Sequence, residues 1–372
     1  MKICMIGHKT VPSRDGGIEI VVEELASRMV EQGHEVTLFN RKRKKMPSKH
    51  LYRGIKIKDI YTINKKSFDA IVYSYFATRK AIKLARKGEF DVIHFHAEGP
   101  CNFLNKFGKL GSKKRKKMPK IVVTIHGLDW QRGKWGGFAS RILKRGEEQA
   151  AKYADEIIVL SKNNQKYFKD TYNIDATFIP NGVAPAKLHN PEVIKQKWNL
   201  TFNSYLLFLA RIVPEKGVHY LVDAWKQVRK ETNTDKKLVI AGGSSHSLDY
   251  FNQIKEKTKN DDSIIMTGFV TGQTLEELYS SAYLYVLPSD IEGMPMSLLE
   301  AISYGNTCLV SNIPENKEVI GDIGYTFEKS NIIDLKNKLI KLIDLNLKSH
   351  DNLFQVYSWD DVTKETLNLY KK

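Results

Sequence analysis

The sequence has few cysteines, and their placement excludes a disulfide-rich protein and a protein with a cysteine-based metal site. Only Cys4, Cys101 and Cys308 occur among 372 residues. They are too few and too far apart for a disulfide framework or a cysteine-based metal site. A reducing compartment suits such a chain, so we expect a cytoplasmic protein.

Long apolar runs are also lacking. No stretch approaches the roughly 18 uninterrupted apolar residues of a membrane-spanning helix, and the start of the chain lacks the hydrophobic core of a signal peptide. Any membrane contact is therefore expected to be peripheral. With 42% hydrophobic residues, the chain can still bury two cores of ordinary domain size.

Positive charge is abundant and confined to one half. The net charge is +17, and residues 1–185 hold 37 Lys and Arg against 18 Asp and Glu, whereas residues 186–372 hold 22 against 24. The basic residues concentrate at 41–45, 80–87 and 113–117. Apolar residues precede two of these clusters, namely Tyr73, Tyr75 and Phe76 before the second and Phe103, Leu104, Phe107 and Leu110 before the third.

This combination is typical of peripheral contact with an anionic inner-leaflet membrane, to which each basic residue contributes roughly 1 kcal/mol. The alternative is that the clusters are solvated and the aromatic residues belong to the core. Nucleic acid is not favoured as a partner, because no helix-turn-helix, zinc-finger or aromatic RNA-binding signature accompanies the charge.

Strand-type apolar runs alternate with helical stretches throughout, which predicts an α/β protein with parallel sheets covered on both faces. A helix is predicted over 18–32 and a last one over 359–370. Proline and glycine place the linker near 181–190. The predicted strands are 2–7, 35–40, 91–95, 121–125, 156–160, 205–210, 237–241, 263–267, 283–287 and 307–311.

The most informative segment is a strand-to-helix turn flanked by Glu292 and Glu300. Pro295 pre-sets φ for a first helical turn, so Glu292 is expected in the loop and Glu300 in the helix. An ionised Glu accepts hydrogen bonds from vicinal hydroxyls, which a ribose or hexose presents. The amides of Gly293 and Met294 lie near the helix start, which attracts an anion such as a diphosphate. The alternative is a solvated helix start, where acidic residues are favoured anyway.

Two cations follow another buried-type strand. Arg211 and Lys216 lie between the predicted strand 205–210 and a helix that begins near His219. An arginine fork and a mobile lysine together could grip a diphosphate and stabilise its charge as it leaves. Either cation alone is more simply explained as a solvated surface residue.

With both motifs, the chain resembles the family four retaining glycosyltransferases of the GT-B fold. Other segments follow in the family's order: 2–8 with 15–19, then 91–96, 124–127, 154–161 and 179–183. A narrower resemblance, at 16–19 with 22–25 and at 126–132, is to a bacterial rhamnosyltransferase-like subgroup of surface-polysaccharide biosynthesis. The resemblance implies two Rossmann-like domains with parallel sheets facing across a cleft. These are 1–185, on which the C-terminal helix 357–372 packs back, and 186–356.

The resemblance also implies roles for individual residues. Arg211, Lys216 and the amides after Glu292 would hold the diphosphate, Glu292 would bind donor-sugar hydroxyls and Glu300 the ribose. His126 is similar to the family's active-site histidine near the donor sugar. Further donor-side residues would be Gly16, Gly17, Phe269, Val270, Gly293, Met294 and Pro295, and the acceptor side would include Glu19, Asp129, Trp130 and Arg132. Because His94 and His96 alternate on one strand, we expect only one of them to face the cleft and treat both as packing residues.

The implied reaction is retaining transfer from a nucleotide-diphosphate sugar, with no metal or other cofactor. The donor would be dTDP-rhamnose or a UDP-sugar, and the acceptor a polyprenyl-diphosphate-linked saccharide in capsule, O-antigen or cell-wall assembly. Glu292 as a covalent nucleophile is a chemical alternative. A GT-B sugar-nucleotide epimerase, a glycan phosphorylase and a nonenzymatic membrane or nucleic-acid adaptor are the alternative functions.

Overall fold

The structure is a computed structural model. It describes residues 1–14, 16–42, 50–63, 68–108, 118–131, 137–244, 247–322, 324–345, 347 and 357–372. Residues Met1–Gly182 with Tyr357–Lys372 form one compact unit, and Val183–Val356 form a second. Within the described ranges, no helix combines the length and apolar character that crossing a bilayer requires.

The first unit is built on an eight-stranded sheet in the order β3-β4-β2-β1-β5-β6-β7-β8. Every neighbouring pair is parallel except β3 with β4. The strands are β1 (Lys2–Ile6), β2 (Glu35–Arg41), β3 (Leu51–Tyr52), β4 (Ile55–Ile60), β5 (Val92–His96), β6 (Lys120–Ile125), β7 (Glu156–Val159) and β8 (Thr177–Phe178). The helices are α1 (Gly17–Glu31), α2 (Asp69–Ala85), α3 (Asn105–Gly108), α4 (Gly137–Tyr153) and α5 (Lys162–Tyr172), with short 3-10 helices at Gly99–Phe103 and Asp129–Gln131.

The second unit carries a six-stranded, fully parallel sheet in the order β11-β10-β9-β12-β13-β14. Its strands are β9 (Tyr205–Leu209), β10 (Lys237–Ala241), β11 (Ile264–Gly268), β12 (Leu284–Leu287), β13 (Cys308–Ser311) and β14 (Tyr325–Phe327). Its helices are α6 (Glu192–Trp198), α7 (Val218–Glu231), α8 (Leu248–Thr258), α9 (Gln273–Ser280), α10 (Met296–Ser303), α11 (Pro314–Ile320) and α12 (Ile332–Ile343), with a 3-10 turn at Pro214–Lys216.

In the second unit, alternate residues of the central strands pack into two separate cores. On β9, Leu206 and Phe208 belong to one core, whereas Tyr205 and Leu207 belong to the other. Apolar residues on both faces are what a parallel sheet covered by helices requires. The prediction of an α/β protein with two parallel-sheet domains is therefore confirmed.

The last helix, α13 (Trp359–Lys371), belongs to the first unit. Its Asp360 pairs with Arg28 of α1 at 2.8 Å, and the Tyr370 hydroxyl lies 2.6 Å from Nδ1 of His94 on β5. Gly182 leaves room for the helix start, because a Cβ there would lie 2.8 Å from the Trp359 backbone nitrogen. The chain thus returns to the first sheet after completing the second.

One glycine fixes the loop after β9 against the end of β12. Gly217 has a φ of +67°, and a Cβ at this position would lie 2.0 Å from the Pro288 carbonyl oxygen. The adjacent backbone bond from Asp290 N–H to the Glu215 carbonyl, 2.9 Å long, holds the same two loops together. A side chain at 217 would therefore force the loops apart.

We expect Gly217→Ala to lower the midpoint of thermal unfolding more than Gly88→Ala does. Gly88 follows α2, where the Glu89 N–H bonds to the Leu84 carbonyl as it does around a left-handed glycine at a helix end. Its φ of +73° is close to that of Gly217 but nothing lies within 4 Å of an added Cβ, so its variant should lose only about 1 kcal/mol through conformational strain. The difference between the two variants measures the close approach alone. Equal decreases in the unfolding midpoint would contradict the close approach of Gly217 to the Pro288 carbonyl.

Candidate functional site

The candidate residues of the second unit gather where its strand order reverses. Strands β10 and β11 lie on one side of β9, and β12 to β14 lie on the other. In parallel sheets ligands bind beyond the carboxyl ends of the strands at such a reversal, because the two following loops diverge there and leave a crevice. The loops after β9 and β12 carry Arg211, Lys216 and Glu292.

A buried ion pair joins these two loops. The Lys216 ammonium lies 2.5 Å from Oε1 of Glu292, and the two side chains are only 14% and 6% exposed. Arg211 is half-buried, and its guanidinium forms no hydrogen bond or ion pair within the part of the chain that the structure describes. Among the described residues, the site therefore contains one ion pair and one cation, Arg211, whose charge no carboxylate balances.

Glu300 lies in the helix after β12, as expected. The Tyr279 hydroxyl donates to its Oε2 at 2.9 Å, and the Tyr279 ring stacks on Tyr304 with centroids 5.2 Å apart. Burial, and then the charge of Glu300, raises the pKa of Tyr279 well above its ordinary value, so the hydroxyl remains a donor. The carboxylate is thus held in one orientation.

The helix start differs in one detail from the prediction. Pro295 has extended geometry, with ψ at 107°, and the helix begins at Met296, so the proline precedes the first turn rather than occupying it. Gly293 is buried and Met294 half-buried in the approach to this helix.

Phe269 and Val270 follow β11, two strands away from the ion pair. The Phe269 side chain is 62% exposed, and Val270 is half-buried. The loops after β10 and β11 are joined by a bond from Gly242 N–H to the Gly268 carbonyl at 2.9 Å. A Cβ at Gly243 would lie 3.5 Å from that of Phe269. An exposed aromatic ring therefore lies at the same edge of the sheet as the charged residues.

The first unit has its own strand reversal, between β1 and β5. Gly7, with a φ of +128°, follows β1, and a Cβ there would lie 2.1 Å from the His96 carbonyl oxygen. Gly16 immediately precedes α1, Gly17 is its first residue, and the Glu19 carboxylate accepts the Lys9 backbone N–H at 2.9 Å. Glu19 is 6% exposed. Glu19 therefore has a structural role, because its carboxylate links the loop after β1 to α1. Its place on the side of the sugar acceptor stays a prediction.

Three histidine rings line the carboxyl ends of β5 and β6. His94 and His96 have centroids 4.1 Å apart, and Nδ1 of His96 lies 3.1 Å from Nε2 of His126. We call these three residues the histidine cluster. The expectation that only one of the β5 histidines could face this edge was wrong, because residues two apart on a strand project from the same face.

Burial keeps the two strand histidines neutral. Burial, with a smaller contribution from the neighbouring imidazoles, lowers the pKa of His94 to about 3 and that of His96 well below its ordinary value. His94 uses both ring nitrogens, one with Tyr370 and the other with Thr124 at 2.7 Å. His126 is half-buried at the edge of the cluster.

Two buried glutamates, which the sequence did not single out, hold the loop after His126. Glu98 accepts the Asp129 backbone N–H at 3.0 Å, and Glu147 accepts the Trp130 indole N–H at 2.7 Å. Burial, followed by the charge of Asp129, raises the pKa of Glu98 well above its ordinary value. Arg132 lies outside the described residues. Glu98 lies two residues after β5 and could have been found from that position, whereas nothing in the sequence distinguishes Glu147 within α4.

The two halves of the chain each match a known family. Residues 15–187 match the family described as Glycosyltransferase Family 4, and residues 191–355 match Glycosyl transferases group 1. An uncharacterized glycosyltransferase of Methanocaldococcus jannaschii is 27% identical over 402 aligned residues, which cover 100% of this chain and 98% of that protein. The chain is a glycosyltransferase.

A second relative and a solved structure add detail. The Escherichia coli UDP-Gal:alpha-D-GlcNAc-diphosphoundecaprenol alpha-1,3-galactosyltransferase is 27% identical and aligns over 72% of this glycosyltransferase and 70% of its own length. The crystal structure of Anabaena HepE in complex with UDP and glucose has a TM-score of 0.76 at 15% identity, with 100% of both chains covered. The fold of this glycosyltransferase is thus GT-B, and its sequence is similar to family 4.

We expect the stability of the first unit to fall in mild acid because its buried histidines must take up protons on unfolding. Histidine has an ordinary pKa near 6.5, so the stabilisation by neutral His94 is complete above about pH 6.5 and declines towards pH 3, by about 1.4 kcal/mol per pH unit. His94→Gln should flatten this decline when urea unfolding is followed by circular dichroism from about pH 7 to about pH 5. Exposed His50→Gln is the control, and an unchanged slope in His94→Gln would contradict the assignment.

Proposed function

We propose that this glycosyltransferase moves a sugar from a nucleotide-diphosphate donor to a lipid-linked saccharide, with retention of configuration and without a metal. The observation that carries the proposal is the arrangement after β9 and β12. There the Lys216–Glu292 pair lies at the strand reversal, and Arg211 has no carboxylate partner among the described residues. A diphosphate supplies the missing counter-charge.

Each part of the donor corresponds to a residue with suitable chemistry. Arg211 and Lys216 bind the diphosphate, together with the amides before α10, because an arginine fork matches phosphate oxygens and a helix start attracts anions. Glu292 accepts hydrogen bonds from the sugar hydroxyls and Glu300 from those of the ribose. The exposed ring of Phe269 and the adjacent backbone of Val270 line the base pocket.

The names of two relatives support the donor and acceptor classes. The E. coli relative takes UDP-galactose and a diphosphoundecaprenol-linked acceptor, and the HepE structure holds UDP and glucose. We propose a UDP-hexose, a UDP-N-acetylhexosamine or dTDP-rhamnose as the donor, and an acceptor of O-antigen, capsule or cell-wall assembly. The rhamnosyltransferase-like subgroup remains a proposal drawn from the segments 16–19, 22–25 and 126–132.

The bond changes are those of a front-face substitution. The bond between the anomeric carbon and the diphosphate oxygen breaks as an oxocarbenium-like sugar forms, and the acceptor oxygen bonds to the same face. The acceptor proton passes to the departing diphosphate, so no separate base is required. The cations Arg211 and Lys216 stabilise the negative charge of the departing diphosphate, as a divalent metal ion would do in a metal-dependent enzyme.

A donor panel tests this proposal. Purified protein in EDTA is incubated with UDP-, dTDP- and GDP-sugars, and thermal stabilisation and nucleotide-diphosphate release are measured. We expect one nucleotide class to stabilise the protein and to be slowly hydrolysed. Arg211→Gln should lower kcat/KM by roughly 100- to 1,000-fold, because it removes a charged hydrogen-bond donor to the negative charge that develops on the diphosphate. Glu300→Ala should weaken the binding of every nucleotide sugar in the panel, because all of them contain the pentose that Glu300 contacts.

The matched control is Arg229→Gln, which removes one exposed positive charge from α7 and should leave both measurements unchanged. No response to any nucleotide sugar would overturn the proposed function, and loss of turnover in EDTA would overturn metal independence. Interconversion of nucleotide sugars without release of the diphosphate would indicate the epimerase instead. An anomeric configuration in the product opposite to that of the donor would exclude retention.

We also propose that the first unit binds the anionic membrane surface where a lipid-linked acceptor lies. Helix α2 and the residue pair after it present one exposed face with five cations, which are Arg79, Lys80, Lys83, Arg86 and Lys87. Such a face has the charge that an anionic leaflet attracts. The basic residues 43–45 and 113–117 lie outside the described part of the chain.

Aromatic residues extend this basic face. Phe76 on α2 is 39% exposed, and its ring contacts Tyr61 and Tyr75 edge-on with centroids 5.3 Å apart in each case. Lys106 lies 4.4 Å from the centroid of the Tyr75 ring. Tyr73, by contrast, is fully buried and donates to the Phe39 carbonyl, and Leu104 and Phe107 are also core residues. Insertion would therefore rest on Phe76 and Tyr61.

Vesicle co-sedimentation tests this surface. Lys80→Gln/Lys83→Gln/Lys87→Gln should weaken binding to vesicles containing phosphatidylglycerol about a hundredfold, since each lysine contributes roughly 1 kcal/mol. The matched control Arg229→Gln/Lys230→Gln/Lys255→Gln removes three exposed charges from the second unit and should bind as the wild type does. Equal weakening in both variants, or binding that is insensitive to salt, would contradict a specific basic face.

A further inference from the structure

Tyr285 is a buried residue of the second unit that no proposed step uses. It is the second residue of β12, and its side chain is fully buried in the core to which β9 and α10 also contribute. Its hydroxyl lies 2.8 Å from Oγ of Ser297 and 3.3 Å from the carbonyl oxygen of Leu209. A single buried hydroxyl therefore contacts two segments that are far apart in the chain.

These two segments lead to the groups that the proposed function assigns to the diphosphate. Leu209 is the last residue of β9, two residues before Arg211. Ser297 is the second residue of α10, and the amides that precede this helix are expected to face the anion. The Tyr285 hydroxyl thus bridges the strand end that leads to Arg211 and the helix start that supplies the amides.

The donors and acceptors available fix the direction of this bridge. Burial raises the pKa of Tyr285 well above its ordinary value, so the group remains a hydroxyl with one proton to donate. A carbonyl oxygen only accepts, so the contact with Leu209 is a hydrogen bond only when Tyr285 donates to it. Ser297 must then donate its own proton to the Tyr285 oxygen. Two full hydrogen bonds therefore form only as a chain from Ser297 through Tyr285 to the Leu209 carbonyl.

We infer that Tyr285 is a positioning residue that sets the spacing between Arg211 and the amides at the start of α10. Loss of its hydroxyl would preserve the packing of the ring but would release the helix start from the end of β9. The inference rests on the proposed function, in which Arg211 and these amides bind the same diphosphate, because only then does their spacing affect turnover. A displacement of about 1 Å in such a site can lower a rate by up to roughly 100-fold.

Tyr285→Phe tests the bridge because it keeps the ring and removes only the hydroxyl. With the donor that the panel selects, we expect it to lower kcat/KM about tenfold, as a displacement of less than about 1 Å would. Ser297→Ala breaks the same chain at its other end, so it should cause a similar loss and add little to Tyr285→Phe in the double variant. Ser297→Thr, which keeps a hydroxyl, should recover most of the activity.

Tyr205→Phe is the matched control. Tyr205 is fully buried in the same core, and its hydroxyl donates to the Leu278 carbonyl at 2.7 Å. It is the first residue of β9, so it lies at the end of the strand opposite to the one that leads to Arg211. Its variant also loses one buried hydrogen bond to a backbone carbonyl, but kcat/KM should be unchanged.

The effect of Tyr285→Phe in the Arg211→Gln background separates positioning from a general loss of stability. When Arg211 is absent, its spacing from the helix start no longer matters, so Tyr285→Phe should lower kcat/KM by less than about twofold. A loss of about tenfold in both backgrounds would overturn the positioning role. An unchanged kcat/KM in folded Tyr285→Phe would overturn it as well.

A measurement without ligand distinguishes this inference from the proposed function. The Leu298 and Leu299 N–H groups bond to the Pro295 carbonyl at 3.1 and 3.2 Å in the first turn of α10. We expect their hydrogen exchange to accelerate about fivefold in Tyr285→Phe, because the turn loses a buried hydrogen bond that opposes local opening. In Tyr205→Phe their exchange should stay close to the wild-type rate.

Unchanged exchange in Tyr285→Phe, or equal acceleration in both variants, would overturn the inference. Absent turnover in the wild type, with exchange accelerated only in Tyr285→Phe, would instead overturn the proposed function and leave the bridge between β9 and α10 in place.

Discussion

The geometry of both candidate regions depends on a close approach of backbone to backbone at a strand reversal. In the first unit Gly7 packs against the His96 carbonyl, and in the second Gly217 packs against that of Pro288. Added Cβ atoms would lie only 2.1 Å and 2.0 Å from these oxygens, and both glycines have positive φ. Because neither carbonyl can move without displacing a buried segment, the loop after one central strand is fixed relative to the end of its neighbour.

What the two contacts hold in place differs between the units. The Gly217 contact brings the turn that contains Lys216 beside the loop that contains Glu292, and the ion pair follows from that proximity. The Gly7 contact is made to the backbone of His96, so the strand that carries two of the clustered histidines is fixed directly. A parallel sheet supplies the common edge, and the glycines supply the close spacing within it.

The buried polar groups avoid isolated charges in two ways. Glu147 is fully buried and accepts hydrogen bonds from Trp130, Lys144, Tyr167 and Tyr172, so its carboxylate has several partners. The buried histidines are instead kept neutral, as burial lowers their pKa. An unpaired buried ion would cost more than either arrangement. The buried ionisable groups are therefore mostly hydrogen-bonded carboxylates and neutral imidazoles, although the chain as a whole is strongly basic.

The sequence predicted the central strands closely and the edges poorly. All ten predicted strands are present with ends within one residue, because buried parallel strands are continuous apolar runs. The strands that were not predicted, β3, β4, β8 and β14, lie at or next to the edges of their sheets. In β4, Ile alternates with Lys and Asp, and β3 and β8 have two residues each, so no apolar run marks them.

The candidate site residues likewise divide into those that the sequence predicted and those that it did not. Charged side chains that follow central strands, such as Arg211, Lys216 and Glu292, could be found from the strand pattern alone. Hydrogen-bond partners from distant segments could not: Tyr279 orients Glu300, and Glu147 holds Trp130. Such partners depend on how helices pack, which a single sequence does not encode in any local pattern. The pairing of Lys216 with Glu292 was likewise not anticipated, since the two were assigned to different parts of the donor.

That pairing determines how the two side chains can act. Glu292 is 6% exposed, and its carboxylate is paired with the Lys216 ammonium. Removing Lys216 would leave a nearly buried carboxylate without its cation, at a cost of roughly 3–5 kcal/mol that has nothing to do with ligand binding. The effect of such a substitution on turnover would mix the two causes. Arg211 has no partner to lose within the described residues, so its removal reports on the ligand alone. The Lys216–Glu292 pair contributes no net charge, so in the proposed function the net positive charge that attracts a diphosphate comes from Arg211.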